Sequence, residues 1–226
     1  MQDIPQRKGF TVIFDMDGVI LDSERVYQEI EREMYDELNI PVSREEHLRF
    51  MGTAEKAMWG YMHEHYPIKR TLEELIMEER RRFMERLEVP GSIPLMEGLL
   101  PLLGALREEG VPCWIASSSS AEIIQRVLLI NDLESYFRGF VGGNDVKRSK
   151  PAPDIFLKAA GLSATDPARC LVIEDSENGI RAALAAGMKV IALHHKDGMH
   201  LDLTGANLII RSLSDIDPDS IRALTG

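Results

Sequence analysis

At 226 residues the chain exceeds the common domain size, so one large domain, or a domain carrying a smaller insert, is the starting expectation. Its 44% hydrophobic and 28% charged residues exclude a disordered or fibrous chain. A formal net charge of -11 sets most of the surface against a polyphosphate backbone; nucleic acid is not an expected partner, and a phosphorylated ligand needs a local cationic site.

No apolar stretch is long enough to span a membrane, and the run over 10–14 is too short for a signal peptide. With two cysteines and no CxxC, neither a disulfide framework nor a zinc site is expected, and a reducing cytoplasm is the expected location.

The first element is Phe10-Thr11-Val12-Ile13-Phe14, a mostly apolar run that stops at Asp15, as a strand buried on both faces of a parallel sheet does. From about Ser23 to about Glu88 the pattern is helical instead. Val26, Ile30, Met34 and Leu38 form one apolar stripe, while Ser43 with Glu46 and Thr71 with Glu74 fit capping boxes. Val89-Pro90-Gly91-Ser92-Ile93-Pro94 disfavours helix and marks a boundary. Beyond it, strand-like runs over 113–116, 171–173, 190–193 and 208–210 alternate with helical patterns over 121–129, 153–160 and 179–186, the last closed by Gly187. The alternation predicts an α/β fold. Its core is a doubly wound, Rossmann-like parallel sheet over 1–22 and 93–226, and a helical cap domain over 23–92 is inserted into it.

Open α/β sheets bind ligands beyond the carboxyl ends of their strands, so polar residues directly after strand-like runs are the candidate site. Four clusters qualify: Asp15-Met16-Asp17-Gly18, Ser117-Ser118-Ser119-Ser120, Lys150 after the loop over 142–149, and Glu174-Asp175. They supply carboxylates for a hard cation, hydroxyls and amides for phosphate oxygens, and one ammonium. Asp15 can attack phosphorus, splitting one hard displacement into two easier ones. Asp17 can protonate a leaving alcohol and later deprotonate the attacking water.

With these four motifs in order, the sequence resembles the haloacid dehalogenase superfamily, in the helical-cap branch that includes β-phosphoglucomutase and phosphoglycolate phosphatase. The motifs are Phe14-Asp15-Met16-Asp17-Gly18, Ser117, Lys150 in Lys-Pro-Ala-Pro-Asp, and Glu174-Asp175 in Val-Ile-Glu-Asp-Ser-Glu-Asn-Gly. The resemblance implies Mg²⁺ held by the Asp15 carboxylate, the Asp17 backbone carbonyl and Asp175, with Glu174 reaching the ion directly or through water. Magnesium keeps several waters and needs few protein ligands. It also implies phosphate binding by Ser117, by the Ser118 N–H and by Lys150, which with Mg²⁺ offsets the repulsion between Asp15 and an anionic phosphate.

Each residue has a plainer reading. Asp15 and Asp17 form a polar turn, Glu174 and Asp175 cap a helix beginning near Ser176, Lys150 is a solvated loop lysine, and Ser120 is an N-cap. The four motifs in sequence outweigh these readings; Ser119 stands evenly between phosphate binding and a loop role. Glu78 and Arg82, spaced i,i+4, read as an exposed paired face, and none of His63, His65, His194, His195 and His200 reads as a metal ligand. The implied strand order puts Cys113 and Cys170 about 10 Å apart at ~4.8 Å per strand, beyond disulfide reach.

The mutases of this branch carry a histidine twelve residues after the nucleophile and an arginine three residues after a cap glycine. Here Tyr27 and, after Gly52, Glu55 stand in those places, which favours water as the second acceptor. Tyr27, Met51, Gly52, Thr53, Lys56 and Trp59 are the expected cap contacts, with packing inside the cap the competing role for Met51 and Trp59. The expected protein is a Mg²⁺-dependent phosphatase acting on a small phosphorylated metabolite, a sugar phosphate or phosphoglycolate-like acid, as a monomer or weak homodimer. A phosphosugar mutase and a non-catalytic metabolite-binding or interaction protein are the alternatives.

Overall fold

The computed structural model describes residues 9–50, 55–89, 91–194 and 202–225. The chain divides into two compact units, Met1–Leu21 with Leu95–Gly226, and Asp22–Pro94. After strand β1 (Thr11–Phe14) come the helices of the second unit: α1 (Glu24–Leu38), α2 (Arg44–Leu48), α3 (Glu55–His65) and α4 (Leu72–Leu87).

Helices α1 and α3 both pack on α4. Val26, Ile30 and Met34 of the predicted stripe are buried, Tyr35 joins them, and Leu38 is half-buried. Helix α4 begins with a complete capping box at Thr71. At α2 only half of the expected box forms: Ser43 Oγ accepts the Glu46 N–H at 3.1 Å, but the Glu46 carboxylate takes the Tyr66 hydroxyl at 2.7 Å. The charged face of α4 is not simply solvated. Arg82, 14% exposed, bonds Glu37 at 2.6 Å as well as Glu78 at 2.8 Å, and Arg86 bonds Glu33 at 2.6 Å, so the run ties α4 to α1.

The remaining elements are α5 (Leu99–Glu108), β2 (Cys113–Ala116), α6 (Ala121–Ile130), β3 (Phe137–Val141), α7 (Asp154–Leu162), β4 (Cys170–Glu174), α8 (Glu177–Ala185), β5 (Lys189–Leu193), β6 (Leu208–Ile210) and α9 (Pro218–Thr225). The six strands form one parallel sheet in the order β3-β2-β1-β4-β5-β6. Strands β1 and β4 are buried along their whole length, which is why their sequences are near-continuous apolar runs. Ile13, Val172 and Val190 share a core cluster with Phe156 and Ala159 of α7 and Ile180 and Ala183 of α8. Helix α9 packs on β4 and α5. A Schellman motif ends α8: Gly187, at φ 75°, donates to Leu184 and Met188 donates to Ala183.

Strand β3 has no counterpart among the runs read from the sequence. Arg138 is exposed on this edge strand, and Gly139 lies so close to the Trp114 ring that a Cβ there would come within 2.6 Å of it. Cys113 and Cys170 are free and buried on the strands flanking β1, opposite Val12 and Thr11 respectively, and burial pushes both thiols up to about 12. No helix among the described residues is long and apolar enough to cross a membrane.

Trp59, expected among the substrate contacts, lies in the interior of the helical unit. It is 0% exposed and its indole N–H donates to Glu79 Oε2 at 2.8 Å. Burial, then the neighbouring Glu31 carboxylate, raises the Glu79 carboxyl well above its ordinary range. Trp59→Phe keeps an aromatic ring but removes the indole N–H that Glu79 accepts, and should cost about 2 kcal/mol in urea unfolding. Glu79→Gln keeps an acceptor for the indole and should cost less than about 1 kcal/mol at neutral pH. Because the folded-state value of Glu79 is raised, its contribution falls as pH rises from the ordinary carboxylate range through that value. The Gln variant should lack this part of the pH dependence.

Candidate active site

The sheet order reverses direction at β1: the chain runs outward through β2 and β3, then crosses to β4 on the other side. Such a reversal opens a crevice at the carboxyl ends of the two strands that flank it. Asp15 follows β1, Ser117 follows β2, Glu174 ends β4 and Asp175 follows it. The ladder continues one step past two of these strands, with the Asp15 N–H donating to Ile173 at 3.0 Å and the Ser117 N–H to Val141 at 3.1 Å. Both residues are thereby fixed by backbone rather than by a mobile loop.

Lys150 enters this crevice with its side chain 6% exposed. Its ammonium donates to Asp15 Oδ1 at 2.7 Å, Glu174 Oε1 at 2.7 Å and the Ala116 carbonyl at 3.2 Å, which matches its three protons to three acceptors. Burial pushes the ammonium down, but Asp15 and Glu174 together hold it above its ordinary value, so it is charged. Burial drives the Asp15 carboxyl well above its ordinary range; Lys150 pulls it back, and Glu174, Asp175 and Asp17 push it further up. Four carboxyl groups thus act on one another beside a single lysine.

The acids differ in what already engages them. Glu174, fully buried, has one oxygen on Lys150 and the other on the Ser176 N–H at 2.8 Å and hydroxyl at 2.9 Å. Ser176 itself caps α8 through the Gly179 N–H at 3.1 Å, so helix capping falls to the serine and not to the two acids before it. Asp175 lies over Gly18: a Cβ there would stand 1.9 Å from its Oδ2, and the backbone at Gly18 has φ 75°. Glycine in the DxDG turn is therefore needed twice, for its left-handed backbone and for the space it leaves to Asp175.

Carboxylate oxygens of Asp15, Glu174 and Asp175 lie within 4.8 Å of one another, an all-oxygen set without sulfur or imidazole that suits a hard divalent cation. Asp17 is half-exposed, and its Oδ2 accepts the Ser119 hydroxyl at 2.8 Å. Ser117 is buried, with its Oγ accepting the Ser119 N–H at 3.0 Å; Ser118 is exposed, and Ser120 caps α6. The sequence motifs named all of these residues except for the bond between Ser119 and Asp17, which joins positions 102 residues apart and leaves no local pattern.

Within the helical unit, the half-buried Tyr27 stacks on Phe83 with ring centroids 4.4 Å apart. Glu55 is paired by Arg80, one of the two bonds being 3.1 Å long, and Lys56 is exposed. Met51, Gly52 and Thr53 lie outside the described residues. A His47–Glu31 pair, which no motif indicated, is buried in the same unit.

The model of the haloacid dehalogenase-like hydrolase family matches residues 12–193, and the chain belongs to this family. It is a hydrolase of that type. A probable pseudouridine-5'-phosphatase of Drosophila melanogaster is 32% identical over 94% of this chain and 94% of its own length. A β-phosphoglucomutase of Bacillus subtilis is 30% identical over 91% of this chain and 90% of its own. Among solved structures, a family IA, variant 3 hydrolase of Entamoeba histolytica superimposes with a TM-score of 0.85 at 24% identity, covering 96% of this chain and 99% of its own, a likeness of fold.

Lys150→Ala leaves the Asp15 and Glu174 carboxyls facing each other without their shared cation. In urea unfolding at neutral pH the variant should lose about 3 kcal/mol. Since Asp15 already takes a proton above the ordinary carboxylate range, the deficit should begin to narrow above that range as pH falls and shrink further below it.

Proposed function

We propose that the chain is a Mg²⁺-dependent phosphatase of small phosphomonoesters, with Asp15 as nucleophile and Asp17 as general acid and base. The observation that carries this reading is the Lys150 ammonium bonded to Asp15 at the switch of the sheet, beside Asp175 and Glu174. Lys150 occupies Asp15 Oδ1, which fixes the rotation of the carboxylate and leaves its other oxygen to attack. The new Asp15–phosphorus bond forms as the ester P–O bond breaks, and Asp17 gives its proton to the leaving oxygen. Water then attacks phosphorus, Asp17 takes the proton back, and Asp15 departs as carboxylate with release of inorganic phosphate. Ser117 and the Ser118 N–H are assigned to the phosphoryl oxygens.

Mg²⁺ is assigned to Asp15, Asp175 and the Asp17 carbonyl, where it supplies positive charge against the phosphoryl oxygens. Glu174, which also holds Lys150 and the turn into α8, would reach the ion directly or through water. A sugar phosphate or phosphoglycolate-like acid is the proposed substrate class, and phosphorylated-metabolite relatives support it. The mutase relative keeps a second reading in view. Against it, Tyr27 and Glu55 occupy the positions of the mutase histidine and arginine, and Glu55 is itself neutralised by Arg80.

A panel of phosphorylated sugars and phosphoglycolate, scored for both free phosphate and isomer, tests this. We expect phosphate release that EDTA stops and added Mg²⁺ restores, and that Asp15→Asn lowers at least about 10³-fold. Undiminished turnover in Asp15→Asn refutes the nucleophile. Isomer without free phosphate establishes the mutase instead, and inertness across the panel favours a binding protein.

A further inference from the structure

The mechanism above leaves unused a side-chain contact of the DxDG turn, the Ser119 hydroxyl on Asp17 Oδ2 at 2.8 Å. Ser119 is held at both ends of its peptide unit. Its N–H donates to Ser117 Oγ at 3.0 Å, and its carbonyl accepts the Gly143 N–H at 2.8 Å. The glycine is required there, because a Cβ on Gly143 would lie 2.1 Å from the Ser118 carbonyl oxygen. Asn144 Oδ1 also accepts the Ala121 N–H at 3.2 Å, so the loop after β3 clamps the serine loop along its length. On the other side, the Asp17 turn is closed by the Gly18 N–H on Leu21 at 2.8 Å and by Ile20 and Leu21 donating to the Met16 carbonyl. The Ser119 hydroxyl thus joins two segments that are each held by backbone hydrogen bonds.

A hydroxyl has one proton to give and lone pairs to accept with. It can donate to one oxygen of a carboxyl group whether the other oxygen is ionised or protonated. Resting on the reading of Asp17 as general acid and base, we propose that Ser119 is a positioning residue for that proton transfer. Its hydroxyl donates to Asp17 Oδ2 in both protonation states, holding one orientation while the transferred proton comes and goes on the other carboxyl oxygen. Ser119 then acts through Asp17 and not on the phosphoryl group, the role assigned to Ser117.

Ser119→Ala, Ser119→Thr, Asp17→Asn and the Ser119→Ala/Asp17→Asn pair test this with Mg²⁺ on two esters, each followed as single-turnover release of the leaving group. An alkyl phosphomonoester needs a proton on its departing oxygen; p-nitrophenyl phosphate expels a stable nitrophenolate without one. Ser119→Ala should slow alkyl release about tenfold, a fraction of what general acid catalysis supplies. Its steady-state KM and its nitrophenolate release should each stay within about twofold of the parent. Ser119→Thr, which keeps the hydroxyl, should restore the rate, and Ser119→Ala should add no further loss in the Asp17→Asn background. Equal losses on both esters, or a full additional loss without the Asp17 carboxyl, would overturn the proposal. Unchanged alkyl release in Asp17→Asn alone refutes the acid–base reading and the proposal with it, an outcome visible without any Ser119 variant.

Discussion

The crevice is organised around one buried ammonium. A desolvated lysine is costly unless every proton finds an acceptor, and Lys150 finds all three on different strands: Asp15 after β1, Glu174 on β4 and the Ala116 carbonyl on β2. Those acceptors converge only if β1 lies between β2 and β4, so the contact presupposes the strand order. A buried ion pair of this kind adds little net stability relative to apolar packing. Its effect is to hold a carboxylate in one rotation at the end of a strand.

The surrounding acids are unequal although the sequence places two of them side by side. Glu174 is bound on both oxygens by lysine and serine, whereas Asp175 lies over the space that Gly18 leaves open. Neighbouring positions at the end of one strand point in opposite directions, and this alternation sends one carboxylate inward to brace Lys150 and the other across to the DxDG turn. The preponderance of negative charge around Asp15 is the electrostatic counterpart of the hard-cation donor set, and with burial it presses the Asp15 carboxyl upward.

Much of this was legible because parallel strands buried on both faces write themselves as apolar runs, and their carboxyl ends are where the run stops at a polar residue. That rule found β1, β2, β4, β5 and β6 and, with them, Asp15, Ser117, Glu174 and Asp175. It missed β3, where an edge position admits Arg138 and the Trp114 ring requires Gly139. It also missed α5, whose apolar Leu99, Leu102, Leu103 and Leu106 are interrupted by Pro101 in the first turn. The roles hardest to read belong to residues defined by distant partners. Trp59 is an interior residue because of Glu79, and Ser119 meets Asp17 because a glycine far along the chain permits the approach.

The backbone pairing where the helical unit leaves and rejoins the chain has an evolutionary meaning. Leu21 and Leu95 form an antiparallel bridge, the Asp22 N–H donates to Pro94 at 2.9 Å, and Met96 donates to Ile20 at 2.9 Å. Outgoing and returning strands are therefore stapled together through main-chain atoms, which any residues other than proline at the donor positions can supply. To the sheet, everything between these staples is a loop whose ends are already closed, and the entropy of closure grows only slowly with loop length. Helical inserts of different size and sequence can be exchanged at this stem while Lys150 and its acceptors stay as they are, so the insert can diversify at a rate decoupled from the sheet.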